Sequence, residues 1–238
     1  MWSTVSIADK SILIHDPPTA PQAGVLFLLD DTSPPFAHRN FRSFVERSPY
    51  LWLFAFPEQS WWCEVVYPPF HSDISPGDFA RKLCVEWLRK RVGSPNIALV
   101  GSGSGGQAAL KWAFRDPADF PTVVAFDPAI DLFEIHGNGY TLDDIYPTAE
   151  LLRQQSASLD LQSYPFPDSI WLAASPDSIW HRGCDRLHEK LNVLGAVHTF
   201  DLYAGDPTES DWFSADILNS LDRFLASNLS KPLRRRLL

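Results

Sequence analysis

Five short apolar runs constrain this chain more than any other feature: 25–29 (VLFLL), 51–56 (LWLFAF), 97–100 (IALV), 123–126 (VVAF) and 170–174 (IWLAA). Each is closed by polar, Gly or Pro residues, and each is too short for a buried helix. A strand with one wet face alternates apolar and polar residues. An unbroken run marks a strand covered on both faces, the situation of a parallel sheet between helix layers. Helical patterns lie between the runs. Residues 36–48 carry Phe41, Phe44 and Val45 at helical spacing. Residues 76–92 open on Pro76, which suits a first helical turn. Residues 105–115 stop at Asp116-Pro117, and 182–194 end before Gly195. Further helices are expected over 148–158 and 211–228, a sixth strand over 198–203, and one or two β segments over 3–15. Strands alternating with helices predict an α/β fold, a mainly parallel central sheet flanked by helices. No repeat or linker divides the sequence. The expectation is a single domain over 1–238, with its core at about 24–228 and a solvated basic tail at 231–238 (KPLRRRLL).

Charge and cysteine content narrow the function classes. The chain has 29 acidic against 20 basic residues in 238, a net charge of -9. That balance offers no basic face for phosphates, so no nucleic-acid partner is expected. The N-terminal stretch lacks a basic region followed by an apolar one, and no run approaches the ~20 residues of a membrane span. The expectation is a cytoplasmic protein with no membrane span. Cys63, Cys84 and Cys184 form no Cys-x-x-Cys pair. Reduced, partly buried thiols are therefore expected, with no metal site.

In a parallel sheet, sites form beyond the carboxyl ends of the strands. The turn after the third run, Val100-GSGSGGQAAL-Leu110 in outline, is the chemically loaded one. It fits two mechanisms. As small-x-Ser-x-Gly over 102–106, it is a nucleophile elbow. Small residues then permit a tight turn that lifts the Ser104 hydroxyl above the sheet, and the Gly105 N–H helps bind an oxyanion, with Gly103 and Gly106 flanking. As Gly101-x-Gly103-x-x-Gly106, it is a dinucleotide fingerprint. The glycines then let a pyrophosphate approach the helix N-terminus, with Asp127 as the acidic residue about 20 positions on. A fingerprint usually opens its fold, and here at least two buried strands precede the turn, which favours the elbow. A plain glycine-rich strand–helix turn remains a third possibility.

Residues 104–121 (SGGQAALKWAFRDPADFP) resemble the elbow helix of the esterase D-like group of α/β-hydrolases. Residues 60–62 (SWW) with 68–70 (PPF), and 185–195 (DRLHEKLNVLG), resemble other segments of that group, so the similarity spans roughly 24–225. The resemblance implies an α/β-hydrolase fold, a small-molecule ester or acyl ligand, no cofactor, and a Ser–acid–His triad in that chain order. Ser104 takes the nucleophile's place and Asp177, after the fifth strand, the acid's, with Asp127 as a second candidate. The base is missing from its place. In the group it lies in a loop after the last strand, which here reads AGDPTESDWFS over 204–214; Trp212 matches a family Trp, putting Ser210 at the histidine position. His181, four residues beyond Asp177, is the substitute candidate, with His71 and His136 in long loops behind it. The oxyanion side departs too, since 30–35 read DDTSPP, and two carboxylates there oppose a developing anion. Trp61, Trp62 and Trp180, with Phe70, are expected to line the pocket. Three readings follow: a serine ester hydrolase with an atypical base, a catalytically inactive homologue that binds a ligand or partner in the same cleft, and a dinucleotide-dependent enzyme.

Overall fold

The computed structural model describes residues 1–30, 38–162, 164–203 and 214–230. Its frame is one eight-stranded sheet, ordered β1-β2-β4-β3-β5-β6-β7-β8. The strands are β1 (Trp2–Ile7), β2 (Lys10–His15), β3 (Gly24–Leu28), β4 (Leu51–Ala55), β5 (Ile97–Ser102), β6 (Thr122–Phe126), β7 (Ser169–Ala174) and β8 (His198–Leu202). β1, β2 and β4 pair antiparallel, and every pair from β4 through β3 to β8 is parallel. All five apolar runs form strands, and every residue of those strands is buried. The segment 3–15 resolves into a hairpin, whose Ile7 faces Lys10 across a two-residue turn.

Side chains alternate between two cores, as a pleated sheet requires. Leu26, Leu28, Leu53, Leu99, Val123 and Leu172 point to one face. There they meet the helix over 76–92 (α2), α3 (Gly103–Arg115) and α7 (His181–Val193). Val25, Phe27, Trp52, Phe54, Val100, Val124 and Trp171 point to the other, under α1 (Arg39–Arg47) and α8 (Ala215–Leu229). α2 is not uniform, because a π-helical stretch, Phe79–Cys84, joins its first turn to the regular helix Val85–Val92. The helix expected over 148–158 is two short ones, α5 (Ala149–Arg153) and α6 (Ala157–Asp160), preceded by α4 (Thr141–Ile145). The three cysteines are free and buried, and burial pushes the Cys63 thiol up to about 11.

α3 begins two residues earlier than the sequence suggested. β5 stays paired with β6 as far as Ser102, opposite Phe126. The chain then turns at Gly103, whose φ is +52°, directly into the helix. A tight strand–helix turn of this kind needs bare backbone. A Cβ on Gly101 would collide with the Gly105 carbonyl, and one on Gly105 with the Leu28 carbonyl. Gly106 faces Pro128, where a Cβ would lie 3.2 Å from that ring. The glycines therefore seat α3 against β3 and the turn after β6, and only Gly103 occupies the left-handed region.

Candidate functional site

A cleft of about 490 Å³ opens at the carboxyl ends of the strands. Its floor is Gly103, Ser104 and Asp30, the last just after β3. Gln59 and Trp61 form one wall, Ile135 and the segment from Gly139 to Thr141 a second, and Ile179 and Trp180 a third. The first two walls are tied together. Thr141 Oγ1 donates to the Gln59 carbonyl, and the Trp61 and Tyr140 rings meet edge to face at 5.5 Å. Asp143 shapes the second wall by accepting from the Gly137 and Gly139 N–H groups at 2.8 and 2.9 Å, and those bonds lower its carboxyl pKa. Behind the walls, Leu132, Leu142, Tyr146 and Leu152 make a small core of their own. Gln107 and Lys111 of α3 anchor it: Gln107 Oε1 accepts from the Ala157 N–H at 2.6 Å, and Lys111 Nζ donates to Gln155 Oε1 at 2.8 Å.

The first wall is conformationally costly. Glu58, Gln59, Trp61 and Trp62 all have positive φ, between 48° and 62°. The Ser60 N–H bonds to the Pro57 carbonyl at 2.9 Å and the Cys63 N–H to the Ser60 carbonyl at 3.0 Å. Two successive tight turns are thus built without a glycine, at roughly 1–2 kcal/mol per left-handed residue. Non-glycine strain of this kind collects at ligand-binding positions. Its local effect is to send the adjacent indoles in opposite directions.

That split corrects the expectation for Trp62. Trp61 faces the cleft, but Trp62 is 3% exposed and does not line it. Trp62 Nε1 donates to the Leu29 carbonyl at 2.7 Å, and its ring packs edge-on against Trp112. Phe70 is also buried, against Phe79 with Lys10 Nζ over its ring. Trp180 does line the cleft, as expected.

The expected catalytic residues are not gathered together. Ser104 is 4% exposed and opens on the cleft, but it is the second residue of α3 and not the tip of the turn. The tip is Gly103, so Gly105 lies inside the helix, packed on β3, rather than next after a nucleophile. A Cβ placed on Gly103 would lie 2.6 Å from Asp30 Oδ2. The Asp30 carboxylate thus fills the space where a side chain at the tip would begin. Asp177 is exposed in the loop after β7, its N–H on Ser175 Oγ at 3.3 Å, and it does not reach the cleft. His181 starts α7 with a buried Nδ1 that has no hydrogen-bond partner, and it does not line the cleft either.

The buried carboxylate in this region is Asp127, at φ +42° after β6. Its oxygens accept from the Ser175 N–H at 2.8 Å and from the Tyr203 hydroxyl. Burial raises its pKa, opposed by bonds from Tyr203, Ser175 and Ser178 and by the nearby His181. These partners hold Asp127 at the ends of β6, β7 and β8, engaged there rather than presented to the glycine turn as a dinucleotide site requires. All seven histidines fall within the described residues, and none lines the cleft. His71 Nδ1 accepts from the Asp73 and Ile74 N–H groups, and His136 Nε2 lies 2.9 Å from the Tyr146 carbonyl. His188 and His198 bond to each other at 2.8 Å, in the middle of α7 and at the first residue of β8. Residues 31–35, Ser210, Trp212 and the basic tail lie outside the described residues, as does the start of the expected 211–228 helix. No group of three or more His, Cys, Asp or Glu suited to a metal ion occurs among the described residues. No helix among them is long and apolar enough to cross a membrane.

No protein-family model matches the sequence, and no curated protein matches it. Solved structures do. A ferulic acid esterase superposes with a TM-score of 0.70 at 14% identity, over 94% of this chain and 97% of that one. An S-formylglutathione hydrolase from Agrobacterium tumefaciens gives 0.69 at 14% identity, over 96% and 93%. A fluorophosphonate-binding serine hydrolase from Staphylococcus aureus, FphF, gives 0.68 at 10% identity, over 97% and 99%. Sheet order, crossover helices and these superpositions agree: the chain has the α/β-hydrolase fold.

Proposed function

We propose that this protein binds a small molecule in the cleft of a hydrolase scaffold without turning it over. The observation that carries this reading is the tip of the strand–helix turn, where Gly103 stands with the Asp30 carboxylate in the space of the missing side chain. A serine hydrolase of this fold raises its nucleophile at that tip. It also needs an imidazole to take the proton and N–H donors for the oxyanion. Here the tip has no hydroxyl, no described histidine lines the cleft, and a carboxylate fills the space where a nucleophile's side chain would begin. The cleft itself is intact. Its volume lies within the range of roughly 300–1,000 Å³ common for small-molecule sites. The related structures are an esterase and a hydrolase by name, and what they share with this chain is the fold.

A second reading, ester hydrolysis through Ser104, is favoured by one observation: Ser104 lines the same cleft. One experiment separates the two. Wild type and Ser104→Ala are incubated with a fluorophosphonate probe and with short p-nitrophenyl esters. The expected result is no labelling, and the same background turnover for both proteins. Labelling and turnover that vanish in Ser104→Ala would establish the second reading and overturn the first.

A further inference from the structure

We infer that His188 and His198 hold a divalent transition-metal ion, of the copper and zinc class, at the β8 end of the sheet. This site is separate from the cleft and stands whether or not the binding reading above does. His188 lies in the middle of α7, and His198 opens β8, the last strand of the sheet. His188 Nδ1 and His198 Nε2 stand 2.8 Å apart, with ring centroids at 5.0 Å and ring planes inclined at 67°. Both rings are half-buried, so solvent reaches them. Neutral imidazoles suit copper, nickel and zinc, whereas magnesium and calcium take oxygen ligands.

The far nitrogen of each ring fixes what the near one can do. His198 Nδ1 lies 2.8 Å from the Ala196 carbonyl. A carbonyl only accepts, so Nδ1 carries the proton of the neutral ring and Nε2 keeps a lone pair aimed at His188. A backbone carbonyl on the remote N–H is the common support of a metal-ligating histidine. His188 Nε2 lies 3.1 Å from the Asn192 amide, one helical turn on. Without metal, His188 Nδ1–H donates to His198 Nε2 and the Asn192 amide donates to His188 Nε2. Asn192 is exposed, and by turning over its amide presents an oxygen instead. The His188 proton then passes through water to Nε2, where Asn192 Oδ1 accepts it. Nδ1 is left with a lone pair beside that of His198 Nε2, and no proton is gained or lost.

The spacing is close to what an ion needs. Two nitrogens at 2.0–2.1 Å from a tetrahedral zinc stand about 3.3 Å apart, so the pair must open by about half an ångström. The elements that carry the rings are fixed. The turn between them is closed by the Gly195 N–H on the Asn192 carbonyl at 3.0 Å and the Ala196 N–H on the Leu191 carbonyl at 2.9 Å. His198 pairs with Ile170 of β7, and the His188 ring stacks on Phe200 at 4.4 Å. Ligands on a helix and a strand are held better than ligands on loops. No third His, Cys, Asp or Glu completes a metal cluster among the described residues. Water therefore takes the remaining positions, and the ion is an exchangeable one.

The test is calorimetric titration of the full chain, without a histidine tag and stripped of metal, with copper(II), zinc and magnesium chlorides. A single copper ion is expected to bind, tighter than zinc, with no binding of magnesium. His188→Gln and His198→Gln are each expected to weaken copper binding about tenfold or more. Electron paramagnetic resonance of the copper complex should show two imidazole nitrogens in the wild type and one in each variant. Zinc should raise the melting midpoint of the wild type and not of the variants, because an ion that binds only the folded chain stabilises it. Near-ultraviolet circular dichroism checks packing, and should His198→Gln fail to fold, His188→Gln on the helix surface decides alone. No copper binding by the wild type overturns the inference and leaves the pair as a hydrogen bond only. Copper binding that persists unchanged in His188→Gln overturns it too, as does magnesium binding as tight as copper.

Discussion

The residue on which the proposed function turns is a glycine. At φ +52°, with Asp30 Oδ2 2.6 Å from its missing Cβ, Gly103 tolerates no side chain without adjustment. Gly103→Ser is expected to destabilise the protein by about 2 kcal/mol, from left-handed strain and from contact with the carboxylate. Removing Asp30 in the same chain relieves the second part only. A double-mutant cycle with Asp30→Gly, followed by urea denaturation, should give a coupling energy of about 1 kcal/mol. No coupling would mean that Asp30 yields freely. The turn also shows where the sequence misleads. Its glycine-rich run reads equally well with its tip at 103 or 104, because both registers place small residues on either side. What fixes the register is the end of β5, where Ser102 is still paired opposite Phe126. That pairing is a property of the neighbouring strand, which no local motif encodes. The two adjacent indoles pose the same difficulty: Trp61 and Trp62 are chemically identical, and only the successive tight turns turn one to the cleft and the other to the Leu29 carbonyl.

At the scale of elements, the apolar runs were legible because they must be. A strand buried on both faces has no polar residue to spare, so β3 to β7 announce themselves by composition alone. The edges are less plain. β8 alternates and is half-exposed, and the first two strands form an antiparallel hairpin whose pairing depends on a two-residue turn. In that turn Ala8 and Asp9 have φ of 44° and 63°, the mirror-image geometry that favours glycine. Asp9 is exposed, and Asp9→Gly is expected to stabilise the protein by about 0.5–1 kcal/mol. A thermal melt checks this, and a lower midpoint would contradict it. The hairpin also carries a titratable group. His15, at the end of β2, is buried beside the Trp2 ring, with the terminal amine near its Nε2. Burial, then the terminal positive charge, lowers its pKa below 6.5, while Glu46 and Asp16 pull the other way. The folded form therefore resists protonation more than the unfolded one. Its stabilising share is complete above about pH 6.5 and is lost as pH falls through the depressed folded value. Melting at pH 7 and pH 5.5 should show a smaller acid-induced drop for His15→Gln than for the wild type. Equal drops would place the acid sensitivity elsewhere.

For the molecule as a whole, the sequence specifies the scaffold more securely than the site. A sheet, two helix layers and their order follow from apolar patterning over two hundred residues, each part reinforcing the others. The cleft depends on a few contacts between segments distant in sequence: Gln59 with Thr141, Trp61 with Tyr140, Asp30 with Gly103. Such meetings leave no periodic signature. That no histidine follows His198 was legible, because it concerns chain order; that Gly103 and not Ser104 is the tip of the turn was not, because it concerns one residue of register.

One further consequence follows from how the indoles are distributed. Trp52, Trp112 and Trp171 are sealed in the two cores, whereas Trp61 and Trp180 stand half-buried at the mouth of the cleft. The emission of this protein is therefore a mixture of a shielded population and a population that solvent can touch. Acrylamide should quench only part of the light, that of the half-buried Trp2 and Trp87 as well as Trp61 and Trp180, and a molecule seated in the cleft should shield only the share of the last two. The chain thus carries its own optical reporter of occupancy.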